Sequence, residues 1–151
     1  MIEVIITNRH NPSRSNSNLM HRIFALLCIV NYCELNGRAK GVSLSQIQCY
    51  LWGVLCERNT RIISEWNRNG CLETPYISGE NTLQELACCE INGYLKQEKG
   101  RYEITEKTRV LFRELKEDEI LVDILGKLKS IGLISDKKSK ELKKDWSYAA
   151  Y

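Results

Sequence analysis

Seven cysteines, at positions 28, 33, 49, 56, 71, 88 and 89, are the side chains of this sequence best suited to thiolate or metal chemistry, followed by two histidines, His10 and His21. Their spacing argues against both uses. No Cys-x-x-Cys occurs, and neither histidine stands near a cysteine pair at the clamp-like spacing of a zinc site. An odd count would leave a thiol unpaired in an oxidising compartment. In a reducing one the cysteines act as small hydrophobes, and most fall inside apolar helical patterns. Core cysteines are therefore expected, with no metal and no cofactor. Carboxylates are the other chemical resource. The four aspartates (118, 123, 136 and 145) all come late, and the run Glu117-Asp118-Glu119 stands where acids stabilise a helix N-terminus. No nucleophile elbow, phosphate-binding loop or His-Glu-x-x-His is present, and the Gly37/Gly41 pair follows a helical pattern rather than a strand. The expectation is that the protein is not an enzyme.

The chain that must carry any site has 151 residues, 43% hydrophobic and 27% charged, the mix of a soluble globular protein rather than a disordered or repetitive one. A chain of this length buries about two-thirds of its unfolded surface and needs no staple. The longest apolar run, residues 23–30, is far short of the roughly 20 residues of a membrane helix. Residues 1–4 have neither the basic start nor the cleavage site of a signal peptide, so a cytoplasmic protein with no membrane partner is expected. The net charge of +3 is too small to diagnose nucleic-acid binding, but it is uneven. Residues 127–144 hold seven lysines against Asp136 and Glu141, whereas residues 82–92 hold Glu85 and Glu90 and no base.

Three segments are expected: an N-terminal strand and polar loop (1–18), a helical domain with a two-stranded wing (19–115), and C-terminal helices with a basic tail (116–151). Ile2, Val4 and Ile6 alternate as in a strand. Residues 8–18 form a polar loop around Pro12, long enough to be either a contact loop or a mobile surface one. Residues 19–35 are apolar on nearly every side, the mark of a buried central helix. Ser43 and Gln46 fit a capping box, after which Leu44, Ile47, Leu51 and Leu55 recur at helical spacing. A helix over 59–69 turns Ile62, Ile63 and Trp66 inward and leaves Arg58, Arg61 and Arg68 elsewhere, ending at Gly70. Residues 71–77, with Pro75, read as extended or loop.

Thr82 and Glu85 fit a second capping box, on a helix whose apolar face is Leu83, Leu86, Ala87 and Ile91. A hairpin turning at Lys99-Gly100 follows. Opposing Glu98 to Arg101 sets Lys96 against Glu103 and Leu95 against Ile104, which sorts charges and apolar groups to opposite faces. Thr105 is placed to cap a helix through about residue 115. Ile120, Leu121, Ile124, Leu125, Leu128 and Ile131 mark the next helix, over 117–130. A lysine-rich helix over 135–145 has little apolar face of its own, so it is frayed or docked on a partner.

This order of helices and hairpin is that of a winged-helix domain, a mainly α fold. Its helix before the wing would enter the major groove if the domain read DNA. The expected exposed positions there are Gln84, Glu85, Cys88, Cys89 and Glu90, and two carboxylates would oppose phosphates. Base reading by this helix is not expected. Arg61, Arg68, Lys99, Lys137 and Lys138 could still touch nucleic acid non-specifically, or serve as a solvated basic face.

The short opening strand (2–7), the Asn11-Pro12 loop running into a very apolar helix (19–30), and the wing region (83–112) together resemble the small middle subunits of bacterial three-component ABC ATPase systems, including Lamassu-type phage defence. The resemblance implies a non-catalytic accessory subunit that bridges an SMC-like ATPase and an effector subunit of the same operon, often a nuclease. Candidate partner contacts are the loop residues Arg9, Asn11, Pro12 and Arg14, the wing tip Lys99 and Gly100, and the tail aromatics Trp146 and Tyr148, for which packing on the chain's own core is the other reading. Two other readings stand beside it: a winged-helix DNA-binding transcription regulator dimerising through 117–131, and an antitoxin or inhibitor capping another protein.

Overall fold

The structure, a computed structural model, describes residues 19–37, 40–70 and 82–149, with side chains through Leu142. The strand expected at 1–7, the loop at 8–18 and the extended stretch at 71–77 lie outside the described residues. In chain order the described elements are α1 (Leu19–Asn36), β1 (Val42–Ser43), α2 (Leu44–Val54), α3 (Glu57–Asn69), α4 (Thr82–Ile91), β2 (Leu95–Glu98), β3 (Arg101–Ile104), α5 (Glu106–Glu114), α6 (Glu119–Ile131) and α7 (Asp136–Ala149). The protein is mainly helical, with one small antiparallel sheet in the order β1-β3-β2.

Helix α1 is buried on every side over Ala25 to Val30, as its uniform apolarity requires, and packs on α2, α4, α6 and β3. Helix α2 is the second hub. Its capping box forms, with Gln46 N–H donating to Ser43 Oγ (3.2 Å) and Ser43 N–H to Gln46 Oε1 (3.0 Å). Rather than burying one stripe, α2 buries Ile47 and every residue from Cys49 to Val54, because α1, α3, α6 and α7 surround it.

The hairpin takes the expected register, Leu95↔Ile104, Lys96↔Glu103, Gln97↔Tyr102 and Glu98↔Arg101. One of its two expected charge pairs forms, Lys96 with Glu103 at 3.8 Å. Arg101 instead donates to the carbonyls of Lys40 and Gly41 (2.9 Å each), which ties β3 to the approach of β1. Strand β1 was not expected. Two residues are too few to show alternation, and pairing Val42↔Tyr102 and Ser43↔Arg101 makes the sheet three-stranded. At the turn, Lys99 (φ 54) and Gly100 (φ 77) are both left-handed, the conformation of a type I′ two-residue hairpin. Thr105 stands at the N-cap of α5, but its hydroxyl donates to Gly93 O (2.6 Å) rather than capping the helix.

The C-terminal helices share the core. Leu121, Ile124, Leu128, Ile131, Ile134 and Leu142 belong to the same apolar cluster as α1, α2 and α3. Helix α7, which looked too polar to stand alone, docks on α2 of its own chain through the fully buried Leu142 and Ser139. The strongest tie lies at the end of α6. A helix leaves its last carbonyls without intrahelical donors, and here the last two of α6 and the three carbonyls that follow are met by side chains from α2 and α3. Ser64 donates to Ser130 O (3.0 Å), Asn67 to Ile131 O (2.8 Å) and Leu133 O (3.1 Å), Tyr50 to Gly132 O (2.9 Å), and Gln46 to Ile134 O (2.9 Å). The Tyr50 hydroxyl also accepts from Ile134 N–H at 2.7 Å. No helix of the described residues is long and apolar enough to cross a membrane.

Tyr50→Phe removes a hydroxyl that serves two backbone groups, leaving Gly132 O and Ile134 N–H without it. A loss of about 1–3 kcal/mol is expected, read as a lower denaturation midpoint at unchanged m-value. A variant as stable as the parent would show that this bridge does not hold the α6–α7 connection.

Candidate functional site

Helix α4 has the sequence TLQELACCEI, and its helical positions sort opposite to the expected way. Facing inward are Thr82, Glu85, Leu86 and Cys89, all buried. Facing outward are Leu83 (57% exposed), Gln84, Ala87 and Ile91 (84% exposed). The expected apolar face of Leu83, Leu86, Ala87 and Ile91 is thus split: Leu86 alone enters the core. Glu85 and Cys89, expected to be exposed, are buried.

The cause is a partner that the local pattern does not reveal. Arg22 of α1 reaches Glu85 with a two-point contact, Nε to Oε2 at 2.5 Å and Nη2 to Oε1 at 3.0 Å. The side chains are 16% and 6% exposed, so this is a largely buried charge pair with the fork geometry that suits guanidinium and carboxylate. With its carboxylate on Arg22, Glu85 is not free for the capping box expected at 82–85. Leu19 (55% exposed) and Met20 (70% exposed) lie within a turn of Arg22 in α1.

The outward side of α4 therefore carries apolar side chains, Gln84, the half-buried Cys88 and Glu90, and no lysine or arginine. Single exposed leucines are ordinary on protein surfaces, but a stripe along one helix is the kind of face that partners cover. Two carboxylates do not face outward, since Glu85 is buried and neutralised; what α4 lacks is any cation to meet phosphates.

The remaining candidate residues are dispersed. Lys99 and Gly100 are exposed at the wing tip, with Lys99 in a left-handed conformation costing about 1–2 kcal/mol for a residue with a side chain. Arg61 and Arg68 are exposed on α3 and line a common cleft against α6, joined there by Lys127 and Gly126, which sequence reasoning did not single out. Lys137 is exposed at the start of α7. Lys138 is committed within the chain: its ammonium donates to Asn67 O (2.7 Å) and Oδ1 (2.8 Å) and lies 5.6 Å from the Trp66 ring centroid. Arg9, Asn11, Pro12 and Arg14 lie outside the described residues, as do the side chains of Trp146 and Tyr148.

Cys28, Cys33, Cys49 and Cys89 are buried free thiols, while Cys56 and Cys88 are partly exposed. Burial pushes the thiols of Cys28, Cys33 and Cys89 up to about 12, so they stay protonated and poorly nucleophilic at neutral pH. No group of three or more His, Cys, Asp or Glu among the described residues is placed to hold a metal ion. Compared with protein-family models, curated proteins and solved structures, the chain matches none.

Two outcomes test this site. Glu85→Gln leaves the Arg22 guanidinium without its counter-charge and is expected to cost about 2–3 kcal/mol, toward the low side of buried-pair values because Arg22 keeps some solvent. The paired change Arg22→Met with Glu85→Leu is expected to recover most of that loss; equal stability of parent and Glu85→Gln would remove the pair from its anchoring role. In native protein at neutral pH, alkylation followed by peptide mapping should label Cys56 and Cys88 well before Cys28, Cys33 and Cys89. Early labelling of that buried set would contradict the burial described.

Proposed function

We propose that this chain is a non-catalytic accessory subunit, built on a winged-helix module, that bridges an SMC-like ABC ATPase and an effector subunit in a bacterial antiphage defence complex. One observation carries the docking part: α4 turns Leu83, Ala87 and Ile91 to solvent and its acid to the core, a face suited to another polypeptide. The winged-helix part is supported by a helix directly ahead of a β2–β3 hairpin whose inner strand, β3, pairs with a short strand between α1 and α2. The choice of an ATPase and an effector as partners rests on the sequence resemblance.

A DNA-binding transcription regulator is the alternative. It asks α4 to sit among phosphates with no cation on its surface, and it gives Leu83 and Ile91 no role. Subunit assembly gives both one. Fully burying a Leu or Ile side chain contributes about 1.5–3 kcal/mol before the costs of association.

Co-expression with the ATPase and effector encoded by neighbouring genes, followed by gel filtration, tests the proposal. The parent is expected to co-elute with at least one of them. Leu83→Glu with Ile91→Asp is expected to weaken that association by roughly 30-fold or more, about 2 kcal/mol, with an unchanged melting curve because both side chains are already exposed. A parent that joins neither protein, or a double variant that joins as well as the parent, would end this reading.

A further inference from the structure

The second surface lies between α3 and α6, away from α4. Ser64 hydrogen-bonds across to Ser130 O, and above this contact the two helices leave a cleft of about 630 Å³. Arg61 and Arg68 line one wall and Lys127 the other. Among the described residues, neither arginine makes an ion pair or hydrogen bond, and both are exposed. Two acids also line the cleft. Asp123 is engaged by Lys127 at 3.2 Å, and Glu57 stands in the first turn of α3, where the helix N-terminus favours a negative charge. Three cations against two acids leave the lining one net positive charge, with both guanidiniums on one wall.

Gly126 adds an observation independent of charge. It sits in the interior of α6, where glycine disfavours the helix, and a Cβ built there would meet nothing within 4 Å. Packing does not require a glycine; its effect is to keep the cleft open opposite the arginines. No aromatic side chain lines the cleft, so bases have no stacking platform there. Arginine forks on an open wall suit phosphate oxygens. Seven residues of α-helix are close to two full turns, so Arg61 and Arg68 stand on the same side of α3, about 10.5 Å apart along its axis.

We propose that the α3–α6 cleft binds the phosphodiester backbone of a nucleic acid without reading its sequence, through Arg61 and Arg68 on α3 and Lys127 on α6. The site shares no residue with the α4 face, so loss of the docking proposal leaves it standing.

Fluorescence anisotropy on the purified full chain tests it, using a short labelled single strand, the matching duplex and a polyglutamate of equal charge. Binding of either nucleic acid at low salt is expected, tighter than that of polyglutamate. Arg61→Gln with Arg68→Gln should weaken it about tenfold or more and flatten the slope of log K against log salt by about 1.5–2. Gly126→Leu, which changes no charge and has room for its Cβ, should weaken binding by filling the cleft, with the fold checked by thermal melting. Lys137→Gln, outside the cleft, should leave binding within about twofold. The proposal is overturned by absence of nucleic-acid binding, by equal binding of polyglutamate, by indifference to the arginine pair or to Gly126→Leu, or by an equal loss at Lys137.

Discussion

A carboxylate carried into a protein core must find a cation or lose its charge, and in this chain that requirement fixes the rotation of α4. Successive residues of an α-helix are about 100° apart. Once Arg22 holds Glu85 against α1, Leu83 and Ala87, two positions to either side, are about 200° away and must face outward, and Ile91 falls in the same sector. A single two-point contact between α1 and α4 thereby decides which chemistry the helix offers to solvent. The local pattern of α4 by itself points to the reverse arrangement, with Leu83, Ala87 and Ile91 inside. The core supplies the difference through Leu86 and Cys89, which fill the inward positions beside the ion pair.

The two outward surfaces differ in chemistry and in the elements that build them. The face of α4 is apolar and lacks cations. The α3–α6 cleft is lined by charged as well as apolar side chains, holds two guanidiniums that pair with no described residue, and has Gly126 on the opposite wall. The proposed protein contact and the proposed phosphate contact therefore share no residue. A net charge of +3 is uninformative by itself: Lys127 is partly neutralised by Asp123, and Lys138 is bound to Asn67.

The rigidity beneath these surfaces comes from α2 and α3, which donate side-chain hydrogen bonds to five successive carbonyls from Ser130 to Ile134. These bonds fix where α6 ends and where α7 begins, and so set one wall of the cleft. Helix α7 is thereby part of the fold although its own sequence, rich in lysine, carries little apolar surface. Among its described side chains, Leu142 and Ser139 are fully buried where α7 packs on α2.

Local sequence determined what depends on neighbours in the chain. The all-round apolarity of residues 19–35 made α1 a buried helix, Ser43 and Gln46 made a capping box, and charge sorting across Lys99-Gly100 set the hairpin register. It likewise put Arg61 and Arg68 on the outside of α3. What it left open depends on partners far along the chain. Leu83, Ala87 and Ile91 give α4 one apolar side and Leu86 with Cys89 another, and Arg22, 63 residues away, holds Glu85 on the second and so turns it inward. Strand β1 exists only because β3 offers an edge, and Gly126 becomes meaningful only once α3 faces it across the cleft. Periodicity gives a helix its two faces, but which face meets solvent is settled by what the rest of the chain brings against it.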